Sequence, residues 1–279
     1  MTASRPSVAD KRRAFRKLHE AGCFVIPNPW DVGSARYLQG LGFKALATTS
    51  AGFAFSKGYS DGAFSRDLAL AHCAELAEAT EVPLNVDYEG GYADDPDGVA
   101  ESVRLVVETG IAGLSIEDST SDPEKPLYDF DLALARVKAA RAAIDKAGGD
   151  VVFTARSEGF IRGRPDLAET VRRMKAFADA GADCLYAPGI KTREEIAAVV
   201  AIGKPVNYLM VTTSYSVADL AAMGVRRVST GGSLARTAWN GFIRAAREIA
   251  EHGTFKSFDG TIPNAELNAF FRADRKARA

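Results

Sequence analysis

Three acidic residues are spaced so that their carboxylates can meet at one metal ion. Asp87 and Glu89 are two positions apart at the end of one apolar run, and Glu117 ends the next such run. Residues two apart on a β-strand point to the same face, so the first two carboxylates share one side of a sheet. Such a set repels itself without a cation, and its all-oxygen chemistry suits Mg²⁺, or Mn²⁺, better than zinc. The spacing alone leaves an alternative open, in which Glu117 or Glu89 pairs with Arg156 and no metal binds.

A cation and a group of small residues offer sites for the negative charge of a substrate. Arg156 ends a further apolar run, where its planar guanidinium can donate to a carboxylate or an oxyanion. Ser50, Ala51 and Gly52 leave another run sharply, so their backbone N–H groups could line an anion site. A tight turn without any ligand explains the same three residues equally well.

The overall composition is that of an ordinary globular protein. Of the 279 residues, 47% are hydrophobic and 25% are charged, with a formal net charge of −1. These values exclude disordered, collagen-like and coiled-coil chains, and the balanced charge indicates no nucleic-acid or membrane-surface partner. No apolar run reaches the roughly 18 residues that a membrane span needs. The polar start and three widely separated cysteines, predicted to be buried thiols, indicate a cytoplasmic protein; the cysteines are Cys23, Cys73 and Cys184.

Only three histidines occur, and none stands in a catalytic pattern. His19, His72 and His252 each lie in a stretch with a helical pattern, beside charged or alanine-rich neighbours. We therefore predict that all three lie on helix surfaces. A histidine-based catalytic triad, a histidine-ligated zinc site and a histidine general base are disfavoured for the same reason.

Eight short apolar runs alternate with longer amphipathic ones along the chain. Eight strands, each followed by a helix, predict an α/β fold in which a parallel sheet closes into a (β/α)8 TIM barrel, with a doubly wound open sheet as the alternative. Glycines at positions 42, 110, 181 and 224, each placed to end a helix just before a strand, fit both folds. The predicted strands are 24–27, 44–48, 83–88, 112–117, 151–156, 182–187, 205–209 and 226–230, and the predicted helices include 66–80, 97–108, 130–147, 167–180 and 193–202.

The chain continues well beyond the eighth strand. We predict a barrel domain over residues 1–253 and a C-terminal helical segment over 254–279. One helical pattern covers 233–252, a glycine-containing break covers 253–261, and a second helix with proline in its first turn covers 263–277. This last helix either caps the surface of its own barrel or packs on a neighbouring subunit.

The strand ends bring the chemical groups together. In a barrel of this kind the carboxyl ends of the strands meet at one face, where the reactive groups lie. The acidic residues, Arg156 and the small-residue segment all fall at such ends. Asn207 and Tyr208 end the seventh strand, so we expect both to contact a substrate, with the Tyr208 hydroxyl as a candidate proton donor.

Taken together, the strand ends resemble those of the isocitrate lyase / phosphoenolpyruvate mutase superfamily. The resemblance covers nearly the whole chain and depends on the order and strand positions of several motifs. These are Pro-Asn-Pro-Trp-Asp-Val-Gly-Ser-Ala-Arg at 27–36, Thr-Ser-Ala-Gly at 49–52, Asp-x-Glu-x-Gly-Tyr at 87–92, Ile-Glu-Asp at 116–118 and Ala-Arg at 155–156.

The resemblance has implications for the assembly and for the metal. It implies a helix-swapped barrel that assembles as a homotetramer, with the terminal helix exchanged between subunits. It also implies Mg²⁺ near Asp87, Glu89 and Glu117, chelated by the 2-oxo acid moiety of a small-molecule substrate.

The resemblance also assigns roles around the substrate. The backbone at residues 50–52 would hold the carboxylate and the oxo oxygen, Asp61 would be another acid near the metal, and Trp30 would wall the pocket. Arg156 would contact the end of the substrate where the bond breaks. The predicted catalytic residues are thus Ser50, Asp61, Glu117 and Arg156, and the predicted substrate contacts are Trp30, Ser50, Ala51, Gly52, Arg156, Asn207 and Tyr208.

The chain departs from the superfamily in the segments that determine the reaction. Isocitrate and methylisocitrate lyases carry a Lys-x-Cys-Gly-His lid after the fourth strand, whereas the segment here, 118–128, has neither cysteine nor histidine. The Lys-x-Asn-type motif of phosphonopyruvate-handling members is also missing from it. The fifth strand reads Arg-Ser-Glu at 156–158, where Arg-Thr-Asp is more typical. The resemblance therefore leaves the substrate open.

The function expected from these observations is a Mg²⁺-dependent carbon–carbon bond lyase. Its substrate would be a small 2-oxo or 2-hydroxy dicarboxylate, most concretely oxaloacetate, decarboxylated through a pyruvate enolate. Such a cleavage needs no strong base, which suits a site without the lid thiol. The alternatives are a mutase or hydrolase acting on phosphoenolpyruvate or phosphonopyruvate, and a ligand-binding barrel without turnover. A Schiff-base aldolase is disfavoured because no lysine ends a predicted strand.

Overall fold

Eight parallel strands form the sheet at the centre of the protein. The computed structural model describes residues 5–148 and 150–278, so the first four residues of the polar start lie outside it. Each strand begins and ends within two residues of its predicted bounds. The strands are β1 (Phe24–Ile26), β2 (Leu46–Ala47), β3 (Leu84–Asp87), β4 (Gly113–Glu117), β5 (Val152–Arg156), β6 (Cys184–Tyr186), β7 (Val206–Leu209) and β8 (Arg227–Ser229).

The sheet closes between its first and second strands. The strand order is β1-β8-β7-β6-β5-β4-β3-β2, and every ladder is parallel. The N–H of Ala47 donates to the carbonyl of Pro27 at 3.0 Å, and the amide of Asn28 donates to the carbonyl of Thr48 at 2.7 Å. These bonds join the two ends of the sheet. The predicted (β/α)8 TIM barrel is therefore confirmed, and the doubly wound open sheet is excluded.

Helices surround the barrel, and most begin at a capping side chain. Serine, threonine or aspartate accepts a hydrogen bond from the first turn, as Thr49 does before α3 and Asp95 before α5. Residues 50–52 accordingly form the first turn of a helix rather than an isolated tight turn. The helices are α1 (Val8–Leu18), α2 (Val32–Gly40), α3 (Ser50–Lys57), α4 (Arg66–Ala79), α5 (Pro96–Glu108), α6 (Phe130–Lys146), α7 (Leu167–Asp179), α8 (Arg193–Val200), α9 (Val217–Ala222), α10 (Ser233–His252) and α11 (Asn264–Arg278).

Helix α1 packs against the amino-terminal side of the strands. Phe15 is fully buried and packs in one apolar cluster with Ala112 and Val152. Gly113 makes room for it, because a Cβ at that position would lie 2.5 Å from the Phe15 ring. The apolar core therefore extends through the barrel to α1, leaving the opposite end of the strands for chemistry.

The structure corrects the prediction for two of the histidines. His19 and His72 are buried, at 8% and 6% exposure, whereas His252 is exposed as predicted. His19 lies where α1 meets the barrel, with Nδ1 2.8 Å from the carbonyl of Phe15 and Nε2 3.4 Å from the guanidinium of Arg227. His72 stacks on the ring of Phe53 at 3.8 Å. Both helices turn these residues towards the core, which their charged neighbours in sequence concealed.

The three cysteines are unpaired thiols. Cys73 and Cys184 are buried as predicted, and Cys23 is half-buried. No helix in the described part of the chain is both long enough and apolar enough to cross a membrane.

The C-terminal segment contains the two predicted helices, α10 and α11. A short 3₁₀ helix (Lys256–Phe258) lies in the break between them. Of the 20 residues of α10, only Ala235 is buried. Helix α11 packs against α2, where Asp274 pairs with Arg36 and the Phe270 ring lies 4.8 Å from that of Tyr37. The division at residue 253 and the exchange of the segment between subunits stay predictions.

We predict that His19 makes the protein sensitive to acid. Burial, then the charge of Arg227, lowers the pKa of His19 from 6.5 to about 3. Neutral His19 therefore contributes its full stabilisation above the unfolded-state pKa of about 6.5, and that stabilisation is lost as the pH falls from there towards the folded-state pKa. Between pH 7 and pH 5 the free energy of unfolding should fall by about 2 kcal/mol from this residue alone. In urea titrations, the wild-type protein should lose that much more free energy of unfolding than His19→Gln over the same interval.

The exposed position His252 provides the matched control. His252→Gln should follow the wild-type pH dependence. Identical pH dependence of His19→Gln and the wild type would contradict the assignment of a neutral, buried His19.

Candidate active site

The carboxyl ends of the strands open into a cavity of about 180 Å³ at the centre of the barrel. A wider cavity of about 960 Å³ lies beside it, under the loops that follow β3, β4 and β5. Ser50, Asp61 and Arg156 line both cavities, which therefore meet at these residues. Of the other predicted site residues, the inner cavity is lined by Ala51, Asp87 and Asn207, and the outer one by Glu89 and Glu117.

One guanidinium holds three of the carboxylates. Nη1 of Arg156 lies 2.5 Å from Asp87, and Nη2 lies 3.1 Å from Glu117 and 2.9 Å from Glu158. Burial opposes the charge of Arg156, but Glu158, Glu117 and Asp87 outweigh it and raise the pKa of this group well above its usual value. Asp87 and Glu117 therefore meet at Arg156 together with Glu158, and the contact with Glu117 is the pairing that the spacing had left open.

The strand register explains this convergence. Glu117 on β4 and Arg156 on β5 are direct partners in the parallel ladder. Asp87 ends β3, the strand on the other side of β4. The guanidinium of Arg156 lies 4.9 Å from the centre of the Tyr186 ring, which supports it from β6. The closed parallel sheet thus fixes the distances among these charges.

Two further acids, Glu89 and Asp61, are not paired with Arg156. Among the residues that the structure describes, no polar group hydrogen-bonds to the buried Oε1 of Glu89. Burial, followed by the charges of Asp87 and Glu117, raises the pKa of Glu89 from 4.5 to about 8. Burial and the charge of Asp87 also raise the pKa of Asp61. The meeting point of the two cavities is therefore short of positive charge.

Glu89 projects from a strained turn. Its backbone φ is 48°, and that of Tyr92 is 55°, in the left-handed region that non-glycine residues rarely occupy. The buried side chain of Arg136 holds this turn, donating to the carbonyls of Gly90 at 2.5 Å and of Asp94 at 2.6 Å. These hydrogen bonds from Arg136 stabilise the strained turn, in which the Glu89 side chain lines the outer cavity.

The amino-terminal end of α3 supplies donors on the opposite side. The N–H and the hydroxyl of Ser50 donate to Asp87 Oδ2 at 3.2 and 3.1 Å. The N–H of Gly52 is already used, because it donates to the hydroxyl of Thr49 at 3.2 Å. Ala51 lies in the same first turn, where an N–H has no carbonyl partner within the helix, and it lines the inner cavity. This end of α3 can therefore receive an anion.

The structure does not bring three of the predicted residues to the cavities. Trp30 and Gly52 line neither; Gly52 instead permits close packing, since a Cβ there would lie 3.1 Å from the Cβ of Trp30. Tyr208 packs outside the barrel wall, 4% exposed, with its ring 6.1 Å from that of Tyr215. Adjacent residues on a strand point to opposite faces, so the inward position belongs to Asn207. Tyr208 is therefore removed as a candidate proton donor.

Two cationic residues of the site were missed in the sequence. Arg227 on β8 is 2% exposed and lines the inner cavity, donating to Asn207 at 2.8 Å and to Thr154 at 3.0 Å. Arg227 and Ser229 are two residues apart on β8 and therefore share a face, so the alternation of the strand could have indicated that Arg227 points into the cavity. Arg162 lines the outer cavity from the irregular loop after β5, where no periodicity indicates the direction of a side chain.

The segment that lacks the superfamily lid motifs covers the outer cavity. Residues 118–128 fold back on themselves through an antiparallel bridge between Ser119 and Leu127. Asp118 pairs with Arg173 at 3.1 Å, and the Tyr128 hydroxyl donates to Asp94 at 2.5 Å. Ser119 donates to Glu117 at 2.6 Å, which links this cover to the charged site.

Comparison with known proteins agrees with the fold. The family model for phosphoenolpyruvate phosphomutase matches residues 15–250. A Burkholderia cenocepacia crystal structure described as a lyase/mutase is 47% identical, with a TM-score of 0.92 over 95% of this chain and 97% of that chain. The oxaloacetate decarboxylase of Paraburkholderia xenovorans is 32% identical over 234 residues, 78% of this chain and 74% of the relative. Oxaloacetate acetylhydrolase, solved with the inhibitor 3,3-difluorooxaloacetate, is 26% identical, with a TM-score of 0.82 over 96% of this chain and 97% of that chain.

The match to the family model spans the whole barrel, from α1 into α10. The resemblance drawn from the sequence motifs is thereby confirmed. The chain belongs to the phosphoenolpyruvate mutase family, within the isocitrate lyase / phosphoenolpyruvate mutase superfamily of lyases and mutases.

Proposed function

We propose that the protein is a Mg²⁺-dependent carbon–carbon bond lyase that acts on a small 2-oxo dicarboxylate, as an oxaloacetate decarboxylase does. The observation that carries the proposal is the buried, unpartnered oxygen of Glu89 beside Asp87 and Glu117, at the mouth of a small polar cavity. The similarity to the Paraburkholderia xenovorans oxaloacetate decarboxylase supports the choice of substrate.

The residues present fit a divalent cation bound partly through water. A metal ion would satisfy the oxygen of Glu89 that lacks a donor, in a place where burial, followed by the charges of Asp87 and Glu117, raises the pKa of Glu89. Within the described residues, no three histidine, cysteine or acidic side chains lie close enough together to hold a metal ion by themselves. Arg156 engages Asp87 and Glu117, so water and substrate oxygens would complete the ligand set, as is usual for Mg²⁺. Asp87, Glu89 and Glu117 are the proposed ligands, and Mn²⁺ is chemically equivalent.

The protein's own groups would stabilise the enolate that decarboxylation leaves. When bound, Mg²⁺ supplies Lewis-acid polarisation of the 2-oxo group. The Ala51 N–H in the first turn of α3 lies where it can donate to the developing oxyanion, and Ser50 beside it orients Asp87 through its hydroxyl. The loss of one such preorganised donor typically slows a reaction by about 100- to 1000-fold. Arg227 and Asn207 hold the floor of the cavity rigid through their mutual hydrogen bond.

Asp61 is the proposed proton carrier. It lines both cavities, where burial and the charge of Asp87 raise its pKa above the ordinary value of a carboxyl. A proton held on the Asp61 carboxyl can pass to the carbon from which carbon dioxide leaves. Decarboxylation needs no base at the cleavage step, so this single acid is enough for turnover.

A mutase or hydrolase acting on phosphonopyruvate or phosphoenolpyruvate is the second candidate. The description of the family model favours it, and the same metal ligands and anion-binding end of α3 would serve it. A phosphonate would then lie near Arg156. A barrel that binds such acids without turnover is the third candidate. Turnover assays with oxaloacetate and phosphonopyruvate distinguish the three candidate functions.

We also propose that the protein is a cytoplasmic homotetramer that exchanges helices between subunits. Helix α10 carries large apolar side chains on its surface, with Phe242 61% and Ile243 41% exposed. Burying such a face against other subunits would remove apolar surface from water. The unpaired thiols suit a reducing compartment.

The proposed activity predicts which substrate the protein turns over. With Mg²⁺, the protein should release pyruvate from oxaloacetate faster than from phosphonopyruvate or substituted malates, measured by coupled reduction of pyruvate. Asp87→Ala should lose at least about 100-fold in rate, because a charge at the metal and the Ser50 contact are lost together. Asp97→Ala, at an exposed acid on α5, is the control. Faster release of pyruvate from phosphonopyruvate would select the hydrolase. Conversion of phosphonopyruvate into phosphoenolpyruvate without release of pyruvate, followed by phosphorus NMR, would select the mutase. No conversion of any candidate in either assay would select the binding protein.

The second prediction concerns the charge balance. Arg156→Met should lower the free energy of unfolding by about 3–5 kcal/mol in EDTA, because three carboxylates lose their buried partner. Mg²⁺ should restore more stability to this variant than to the wild type, in parallel urea titrations. Arg104→Met, which removes exposed helix pairs, should leave the free energy of unfolding nearly unchanged. Equal losses in both variants would contradict the role given to Arg156.

The third prediction concerns assembly. Phe242→Glu places a charge in the proposed interface and should convert the tetramer into smaller species, measured by light scattering after gel filtration. The loss follows from the cost of burying an unpaired charge. A wild-type protein that elutes as a monomer at micromolar concentration would contradict this part of the proposal.

A further inference from the structure

The interior of the barrel is polar below the charged residues of the site. Barrels of this class are normally filled by layers of valine, isoleucine and leucine side chains. Here Asn85, Ser115 and Arg227 are all buried and line the inner cavity. Buried polar groups cost free energy unless they are hydrogen-bonded, and a buried charge costs more unless it is paired. The partners of these side chains therefore indicate what the cavity is suited to hold.

Arg227 extends from β8 across the floor of this cavity. Its Nε donates to Asn207 on β7 at 2.8 Å, and its Nη2 donates to Thr154 on β5 at 3.0 Å. Its Nη1 lies 3.4 Å from Nε2 of His19. That Nε2 is an acceptor, because Nδ1 of the same ring donates to the carbonyl of Phe15. A guanidinium carries five N–H groups. Three are used in these contacts, so one N–H on each terminal nitrogen has no acceptor among the described residues.

The charge of Arg227 is not neutralised by these contacts. Asn207 and Thr154 are neutral, and so is His19, because burial and then the charge of Arg227 lower its pKa to about 3. The two acids that line the inner cavity belong to its mouth: Asp87 contacts Arg156, and Asp61 also lines the outer cavity. A buried cation without a counter-ion is strongly destabilising. The guanidinium of Arg227 therefore favours a negatively charged occupant of the cavity.

Asn85 adds an unpaired acceptor to the same cavity. Its side chain is 4% exposed, and no described residue donates to its Oδ1. The cavity of about 180 Å³ has room for a small anion together with water. An occupant that also carries a proton, such as water or the O–H of bicarbonate, would satisfy the Asn85 oxygen. The cavity thus offers free donors on a buried cation and one free acceptor.

We infer that the inner cavity binds a small monovalent anion on Arg227, beneath the substrate and separate from it. Oxyanions the size of formate suit this chemistry, because guanidinium N–H groups form charge-assisted hydrogen bonds with carboxylate oxygens. Bicarbonate, the hydrated form of the carbon dioxide that the proposed reaction releases, belongs to this class. The inference goes beyond the proposed function and does not depend on it.

The test uses ¹³C-labelled formate as the probe, with EDTA present to remove metal ions. In NMR titrations the formate signal should broaden with the wild-type protein and saturate at millimolar formate. Arg227→Met should weaken binding by at least about tenfold, the effect of losing a charge-assisted pair. Arg227→Lys, which keeps the charge but not the planar fork, should fall between the two. Formate should also raise the urea midpoint of the wild type but not of Arg227→Met, because a ligand that binds only the folded state stabilises it.

Arg226→Met is the matched control. Arg226 precedes Arg227 in the sequence, donates to the carbonyl of Gly22 and lines neither cavity, so this variant should bind formate as the wild type does. Equal binding of formate by the wild type and a folded Arg227→Met would overturn the inference. If circular dichroism shows that Arg227→Met does not fold, crystals of the wild type soaked in bromide decide the question. Anomalous density beside the Arg227 guanidinium is expected, and its absence there would overturn the inference.

Oxalate with Mg²⁺ distinguishes this site from that of the substrate. Formate should still bind to the wild type in excess oxalate and Mg²⁺, because the inferred anion lies beneath the metal-chelating end of the substrate. Displacement of formate by oxalate would place formate in the substrate site, which overturns the inference and leaves the proposed function standing. A lack of turnover with oxaloacetate would remove the proposed function and leave formate binding at Arg227 unaffected.

Discussion

Repulsion among carboxylates at the open end of the barrel is the constraint on which the rest of the site depends. Asp87, Glu117 and Glu158 share the single guanidinium of Arg156. The nearby Glu89 keeps a buried oxygen for which the described residues offer no donor. Like charges in a poorly hydrated pocket raise one another's pKa and destabilise the fold. The same excess of negative charge would favour the binding of a divalent cation. The acidic residues therefore both lower the stability of the metal-free fold and provide the proposed metal site.

The barrel limits this repulsion because the strands fix the backbone positions of the charged residues. Parallel pairing places Glu117 directly beside Arg156, and the next strand ends at Asp87. The first turn of α3 faces these acids with donors, and Arg136 holds the strained turn that carries Glu89. Helix α1 packs against the barrel far from the site, so that the apolar core is complete without the residues at the mouth. The apolar cluster at α1 and the charged residues of the site thus lie at opposite ends of the barrel.

Much of this arrangement could be predicted from the sequence, because glycine-terminated helices and strand ends are local signals. The convergence of Asp87 and Glu117 followed from parallel strands alone. The inward face of β7 was not predictable, since Asn207 and Tyr208 are adjacent and both carry polar groups, and both were therefore expected in the pocket that Asn207 lines. His19 was misjudged because charged neighbours concealed its buried face, and Arg162 was missed because an irregular loop has no period.

The most direct test of the central claim is calorimetric titration of Mg²⁺ into the metal-free protein, repeated in buffers of different ionisation enthalpy. Such a series reports both the affinity and the number of protons released on binding. With the pKa of Glu89 raised to about 8 by burial and by its acidic neighbours, a metal ion bound there must displace a proton near pH 7. The account predicts binding at millimolar Mg²⁺ with release of close to one proton, reduced in Glu89→Gln. Absence of binding, or binding without proton release, would contradict it.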